Sequence, residues 1–234
     1  EGVRGVSEAL FLPGDRSTIP VDTAAGRVQA LPHDWSQTDT ELQAGWYRAT
    51  VRLDQVPDSA PERQWAVYLP TVHMNAAVYL NGVLLGHGGR FSDPVARNWN
   101  RPLYFTIPSG LLQSGDNRVD VRIKADAMGS GYLSAVYIGA AATLAPFYQA
   151  RLFVKTTLKQ FITLGMMVGG IFMAVLWLYR RTDPVYGWFA LTLLLWAVHN
   201  VTLITINLPL SSRAWDWLRF TSVLWFVIAA LVFV

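Results

Sequence analysis

An all-β jelly-roll sandwich followed by transmembrane α-helices is the fold class that the 234-residue sequence predicts. Three observations carry that expectation. Charge is split unevenly: residues 1–150 hold 12 Lys+Arg against 14 Asp+Glu, a net −2, while residues 151–234 hold 7 against 2, a net +5. Apolar and polar residues alternate with period two between residues 40 and 140. Three uncharged, strongly apolar runs of membrane-spanning character follow one another after residue 159. With 52% hydrophobic and 15% charged residues the chain is not disordered, and without Cys it is neither a disulfide scaffold nor a Cys-ligated zinc module. Positive charge is concentrated where hydrophobicity is highest, so a nucleic-acid partner has no support.

The first 30 residues have weak periodicity and read as an irregular segment or an added strand. Alternation is clear in Trp46–Leu53, where Tyr47, Ala49, Val51 and Leu53 share one face and Arg48, Thr50 and Arg52 the other. It is equally clear in Asn117–Lys124, where Val119, Val121 and Ile123 alternate with Arg118, Asp120, Arg122 and Lys124. Both predict half-buried antiparallel strands. Gln64–Leu69 and Ala76–Leu80 add two more, and Asn81-Gly82 before the next apolar run predicts a type I′ hairpin. Further turns are expected at Pro57-Asp58, Pro70, Gly88-Gly89, Pro108-Ser109-Gly110 and Gly115-Asp116-Asn117. Short strands at this spacing indicate a sandwich or jelly roll.

Gln160–Tyr179 are 20 consecutive uncharged residues, Pro184–Ser212 are 29, and a third run goes from Phe220 to Val234. At 1.5 Å rise per residue, about 20 residues cross a hydrocarbon core of about 30 Å. The expected domains are therefore an extracytoplasmic sandwich at 1–150 and a membrane region at 151–234. The latter holds complete helices near 160–179 and 186–206 and a truncated third near 217–234. Residues 131–149 read as a short tether. Arg180-Arg181 argue for a cytoplasmic loop after the first helix, although Arg151, Lys155, Lys159, Arg213 and Arg219 on the other side count against that orientation. Gly165, Gly169 and Gly170 form a small-residue face, and His199 and Asn200 read as interhelical hydrogen-bonding groups or an intramembrane functional site.

Leu31-Pro32-His33-Asp34-Trp35-Ser36, Gly45-Trp46-Tyr47-Arg48, the stretch His73 to Gly86 and Gly115-Asp116-Asn117 together resemble the sugar-binding jelly-roll domain of family-2 glycoside hydrolases. In that family the catalytic carboxylates belong to a barrel that follows, and here an apolar helix arrives instead. Gly131 to Gly139 and Leu144 to Arg151, running into membrane helices, resemble bacterial seven-transmembrane receptors with diverse intracellular signalling modules. That resemblance implies a periplasmic input domain in the inner membrane and an output module of the histidine kinase or diguanylate cyclase type beyond these residues.

No catalytic residue, metal site or cofactor is expected: no Cys nucleophile, metal-ligand spacing, nucleophile elbow or phosphate loop occurs in residues 1–150. His33, Asp34 and His73 read as strand-end hydrogen-bonding residues. Ligand binding is the better expectation, because sugars are held by aromatic faces and planar polar groups. Arg90, Phe91, Asn98, Trp99 and Asn100 are the first candidates, with His87, His73 and Asn75 next. Trp35, Trp46 and Arg48 read as core aromatics and a strand salt bridge. The expected function is ligand sensing for a membrane receptor, with a carbohydrate or related small molecule and the lipid bilayer as partners and a homodimer left open. The alternative is a fragment of a membrane-anchored glycoside hydrolase without its catalytic domain.

Overall fold

The structure, a computed structural model, describes residues 2–38, 40–54, 64–125 and 130–233. The expected turn at Pro57-Asp58 and the last residue, Val234, lie outside them. The chain forms two compact units, Glu1–Leu152 and Phe153–Val234.

The first unit is an all-β sandwich. Its strands are β1 (Arg4–Val6), β2 (Glu8–Pro13), β3 (Arg27–Ala30), β4 (His33–Asp34), β5 (Ala44–Leu53), β6 (Trp65–Leu69), β7 (Val72–His73), β8 (Asn75–Leu80), β9 (Val83–His87), β10 (Leu103–Thr106), β11 (Gly115–Lys124), β12 (Tyr132–Leu133) and β13 (Val136–Ala140), with a short α1 (Trp35–Thr38). They make a six-stranded sheet in the order β3-β2-β5-β11-β8-β9, a four-stranded sheet β1-β13-β6-β10 and a small sheet β4-β12-β7. The chain changes sheet at most connections, which is the jelly-roll habit. The two longest strands lie side by side, antiparallel from Gly115↔Leu53 to Lys124↔Ala44. Their alternation therefore sets the register of the whole six-stranded sheet.

Phe11, Tyr47, Val67, Leu69, Val78, Leu80, Ile123 and Ile138 fill the core. Trp35 joins them, fully buried, and its Nε1 donates to the Tyr47 hydroxyl at 2.6 Å. His33 Nδ1 lies 2.7 Å from the same hydroxyl, so the polar ends of these large rings are satisfied inside the core. Trp46 is buried with Nε1 donating to the Arg16 carbonyl. Arg48 Nε meets Asp120 at 2.7 Å while its Nη2 donates to the Pro20 carbonyl. The structural roles read for Trp35, Trp46 and Arg48 thus stand. The β8–β9 hairpin turns through Asn81 (φ 50°) and Gly82 (φ 87°), the two positive values a type I′ turn needs.

Two segments differ from the sequence reading. The first 30 residues are three strands, with β2 at the centre of pairing to both β3 and β5. The short tether, expected to be no floppy linker but without regular elements assigned to it, forms β12, β13 and α2 (Ala141–Leu152). Leu144 of α2 is buried with Ala66 and Tyr68, Tyr148 stacks on Tyr104 at 5.1 Å, and Arg151 Nη2 donates to Thr71 Oγ1 at 2.7 Å.

In the second unit a π-helical turn, Phe153–Thr157, leads into α3 (Leu158–Tyr179), followed by α4 (Pro184–Ile204) and α5 (Ser212–Phe233). The helices that contain α3, α4 and α5 are long and apolar enough to cross a membrane. The third helix starts at Ser212 rather than near 217, and its first turns carry Asp216 and Arg219, 3.5 Å apart. Of the three glycines on α3 only Gly170 is needed for close approach: a Cβ there would lie 2.8 Å from Leu194 of α4, whereas one on Gly165 would meet nothing. His199 Nδ1 lies 3.4 Å from the Arg219 carbonyl of α5, and the Asn200 amide faces Met166 of α3 at 3.9 Å. These are interhelical contacts.

Candidate ligand-binding site

The segment from Gly86 to Arg101 returns the chain from β9 to β10, and two asparagines fix its path. Asn75 at the start of β8 is 0% exposed; its Nδ2 donates to the carbonyls of Gly89 (3.0 Å) and Arg90 (3.1 Å). Its Oδ1 accepts from Asn98 Nδ2 at 3.0 Å, and that same amide donates to the Gly88 carbonyl at 2.8 Å. The backbone N–H of Asn98 donates to the Met74 carbonyl. Asn98 is 1% exposed. A Cβ on Gly88 would sit 2.5 Å from Asn75 Oδ1, so the paired amides require glycine there.

Asn75 and Asn98 therefore face inward and position the loop, and other candidates reach its surface. His87 and Arg90 are exposed, while Phe91, Trp99 and Asn100 are half-buried. The rings of His87 and Phe91 meet edge to face at 6.4 Å. His87 Nδ1 accepts the Gly89 N–H, and Arg90 Nε donates to the Pro94 carbonyl. Each aromatic ring has a guanidinium over it: Arg122 at 4.8 Å from the Phe91 centroid and the buried Arg97 at 5.9 Å from Trp99. His73 is the candidate that makes its contacts elsewhere. Its ring lies 5.5 Å from Tyr132 in the small sheet. Burial pushes its pKa down, with the Asp34 carboxylate opposing.

Arg122 extends the site onto the outer face of the six-stranded sheet. Its Nη2 donates to Asp15 Oδ1 at 3.0 Å, and Lys124 Nζ donates to Asp15 Oδ2 at 2.5 Å. The bond from Lys124 holds the Asp15 carboxyl below its ordinary value, against partial burial and with help from Arg122. Two residues along, Asp120 is held by Arg48 and Arg118. Strand alternation already places Arg118, Asp120, Arg122 and Lys124 on one face in the sequence. Their juxtaposition with Phe91 and Asp15 comes from loops distant in the chain, and no local signal announces it.

Chemically the arrangement offers ring faces and edges, guanidinium donors and amide groups on a loop whose backbone is fixed from beneath. Among the described residues no group of three His, Cys, Asp or Glu could hold a metal ion.

No family model matches this chain, and no curated protein matches it. Solved structures do. A glycosyl hydrolase family 2 member from Bacteroides cellulosilyticus is 23% identical, with a TM-score of 0.43, over 58% of this chain and 20% of that one. Bacteroides uniformis beta-glucuronidase is 21% identical, with a TM-score of 0.45, over 59% and 18%. A beta-galacturonidase of family 2 from Eisenbergiella tayi is 11% identical, with a TM-score of 0.44, over 59% and 24%. The chain spans about a fifth of the length of these proteins.

Proposed function

We propose that this chain is the input portion of a bacterial inner-membrane signalling receptor, whose periplasmic sandwich binds a carbohydrate or related small molecule without transforming it. The observation that carries the reading is the loop 86–101. There His87, Arg90, Phe91, Trp99 and Asn100 lie at or near the surface on a backbone pinned by the buried Asn75–Asn98 pair. Preorganised loops of this kind lose little entropy when they take up a polar ligand. The motif resemblance to a sugar-binding jelly roll supports carbohydrate as the ligand class. The resemblance to seven-transmembrane receptors supports an output module of the kinase or cyclase type in the complete protein. Coupling would run through the covalent connection from α2, which packs on the sandwich, into the chain of the second unit. A ligand would bias that helix to the extent that it binds two states unequally. In this reading the Arg180-Arg181 turn is cytoplasmic and a homodimer is the signalling unit.

The test is thermal unfolding of the full chain in detergent with a panel of neutral and acidic mono- and oligosaccharides. A rise in Tm with at least one of them, lost in Trp99→Ala and in Phe91→Ala, is expected. No rise with any sugar, or a rise unchanged in both variants, would overturn the carbohydrate reading.

A further inference from the structure

The helical unit holds a groove of about 440 Å³ between α3 and α4, lined by Ala174, Trp177, Gly187, Trp188, Leu191 and Leu194 among others. Small residues make it. A Cβ on Gly187 would lie 3.0 Å from the Trp177 ring, so the indole packs straight onto the α4 backbone, and Ala174 and Ala190 leave the space beside it open. The lining is apolar throughout, and such a groove in a bilayer suits a hydrocarbon chain.

One end of it is different. The groove lies beside the turn that joins α3 to α4, where Arg180 and Arg181 stand consecutively. The Arg181 guanidinium sits 5.9 Å from the centroid of Trp177, on the wall of the groove. Arg180 Nε is 4.0 Å from Asp183 Oδ2, a long pair between two exposed side chains that is worth little in water. Asp183 is the one carboxylate between residues 160 and 212, so the turn presents two guanidiniums against one acid. Trp177 and Trp188 flank the same end, and tryptophan favours the level of lipid headgroups.

We propose that this groove binds one phospholipid with an anionic headgroup, an acyl chain lying along Ala174, Gly187 and Leu191 and the phosphate meeting Arg181. An apolar slot with a cation at its headgroup end complements an amphiphile of that kind, and a basic side chain near an anionic lipid surface contributes a preference of about fivefold. The proposal rests on the helices spanning a bilayer, but not on which side the turn faces.

Native mass spectrometry of the full chain in detergent, titrated with phosphatidylglycerol and with phosphatidylcholine of the same acyl chains, tests it. Wild type should retain phosphatidylglycerol about fivefold better. Arg180→Gln/Arg181→Gln should erase that preference, Arg181→Lys should keep most of it, and Ala174→Phe should weaken retention of both lipids by filling the slot. Equal retention of the two lipids by wild type, or a preference that survives the double Gln variant, overturns the proposal. So does an Ala174→Phe variant that binds both lipids normally but changes oligomeric mass, since the groove would then belong to another helix. Extraction of the wild-type chain from vesicles by alkaline carbonate would instead refute the membrane reading on which the proposal stands.

Discussion

The two units solve opposite problems with the same residue types. In the sandwich, large rings go inside: Phe11, Trp35 and Tyr47 are buried, and charges occupy the outer face of the six-stranded sheet. In the helical unit many large side chains point outward. Phe161 is 64% exposed and Leu231 73%, while small residues such as Thr163, Gly170, Ala190, Ala197, Thr202, Ser222 and Ala229 are buried; Trp215 is a large ring that does go inside, its Nε1 donating to the Thr202 carbonyl. Apolar surface that would be unfavourable in water costs nothing against lipid, and close helix packing then depends on small residues and interhelical hydrogen bonds rather than on a hydrophobic core. A sandwich with its rings inside and helices apolar enough to cross a membrane thus distribute the same residue types in opposite ways.

Substitutions can break that contrast at several strengths. The largest effect is expected from Trp35→Ala, which removes a fully buried indole and its bond to Tyr47; about 3–5 kcal/mol of sandwich stability should be lost in chemical denaturation. Phe161→Ala removes an aromatic ring from an exposed position on α3 and should change helical-unit stability by no more than about 0.5 kcal/mol. Next comes Gly170→Leu, which drives a side chain into Leu194 and should cost about 1–3 kcal/mol, read as lower resistance to unfolding in mild detergent. Gly165→Leu meets open space and should be neutral.

Asn75→Ala removes the amide that holds Gly89, Arg90 and Asn98. It should cost about 1–3 kcal/mol and raise hydrogen exchange selectively in residues 86–101. The smallest effect is one of pH. The folded-state pKa of His73 lies below 6.5, so the unfolded chain binds the extra proton as pH falls from about 6.5 toward the folded value. Sandwich stability should therefore decline modestly below pH 6.5, and His73→Phe should flatten that part of the profile of Tm against pH.

Much of the fold was legible because its signals are local. The alternation in β5 and β11, the Asn81-Gly82 hairpin and the uncharged runs of α3 and α4 each state their structure within a few residues. The segment α2 was not legible as a helix. It carries Pro146 and little amphipathic pattern, and its packing comes from Tyr68, Tyr104 and Ala66 on strands far away in the chain. The two-residue strands β4, β7 and β12 likewise exist only through one another. At the site, the surface loop and its aromatics could be read from composition. That Asn75 and Asn98 pair with each other could not, because their amides meet only after the loop has returned over β8. Arg122 was visible as a solvent-facing strand residue, but its place over Phe91 depends on the loop's path.

The central claim is that the sandwich takes a ligand at the 86–101 loop while the helices stay in lipid. Hydrogen exchange of the full chain in nanodiscs, with and without the sugar that stabilises it most, addresses both halves at once. Slowed exchange confined to residues 86–101 and the adjoining strand β11, with α3, α4 and α5 protected throughout, is the expected result. Protection that appears elsewhere in the sandwich, or helices that exchange freely in the nanodisc, would contradict it.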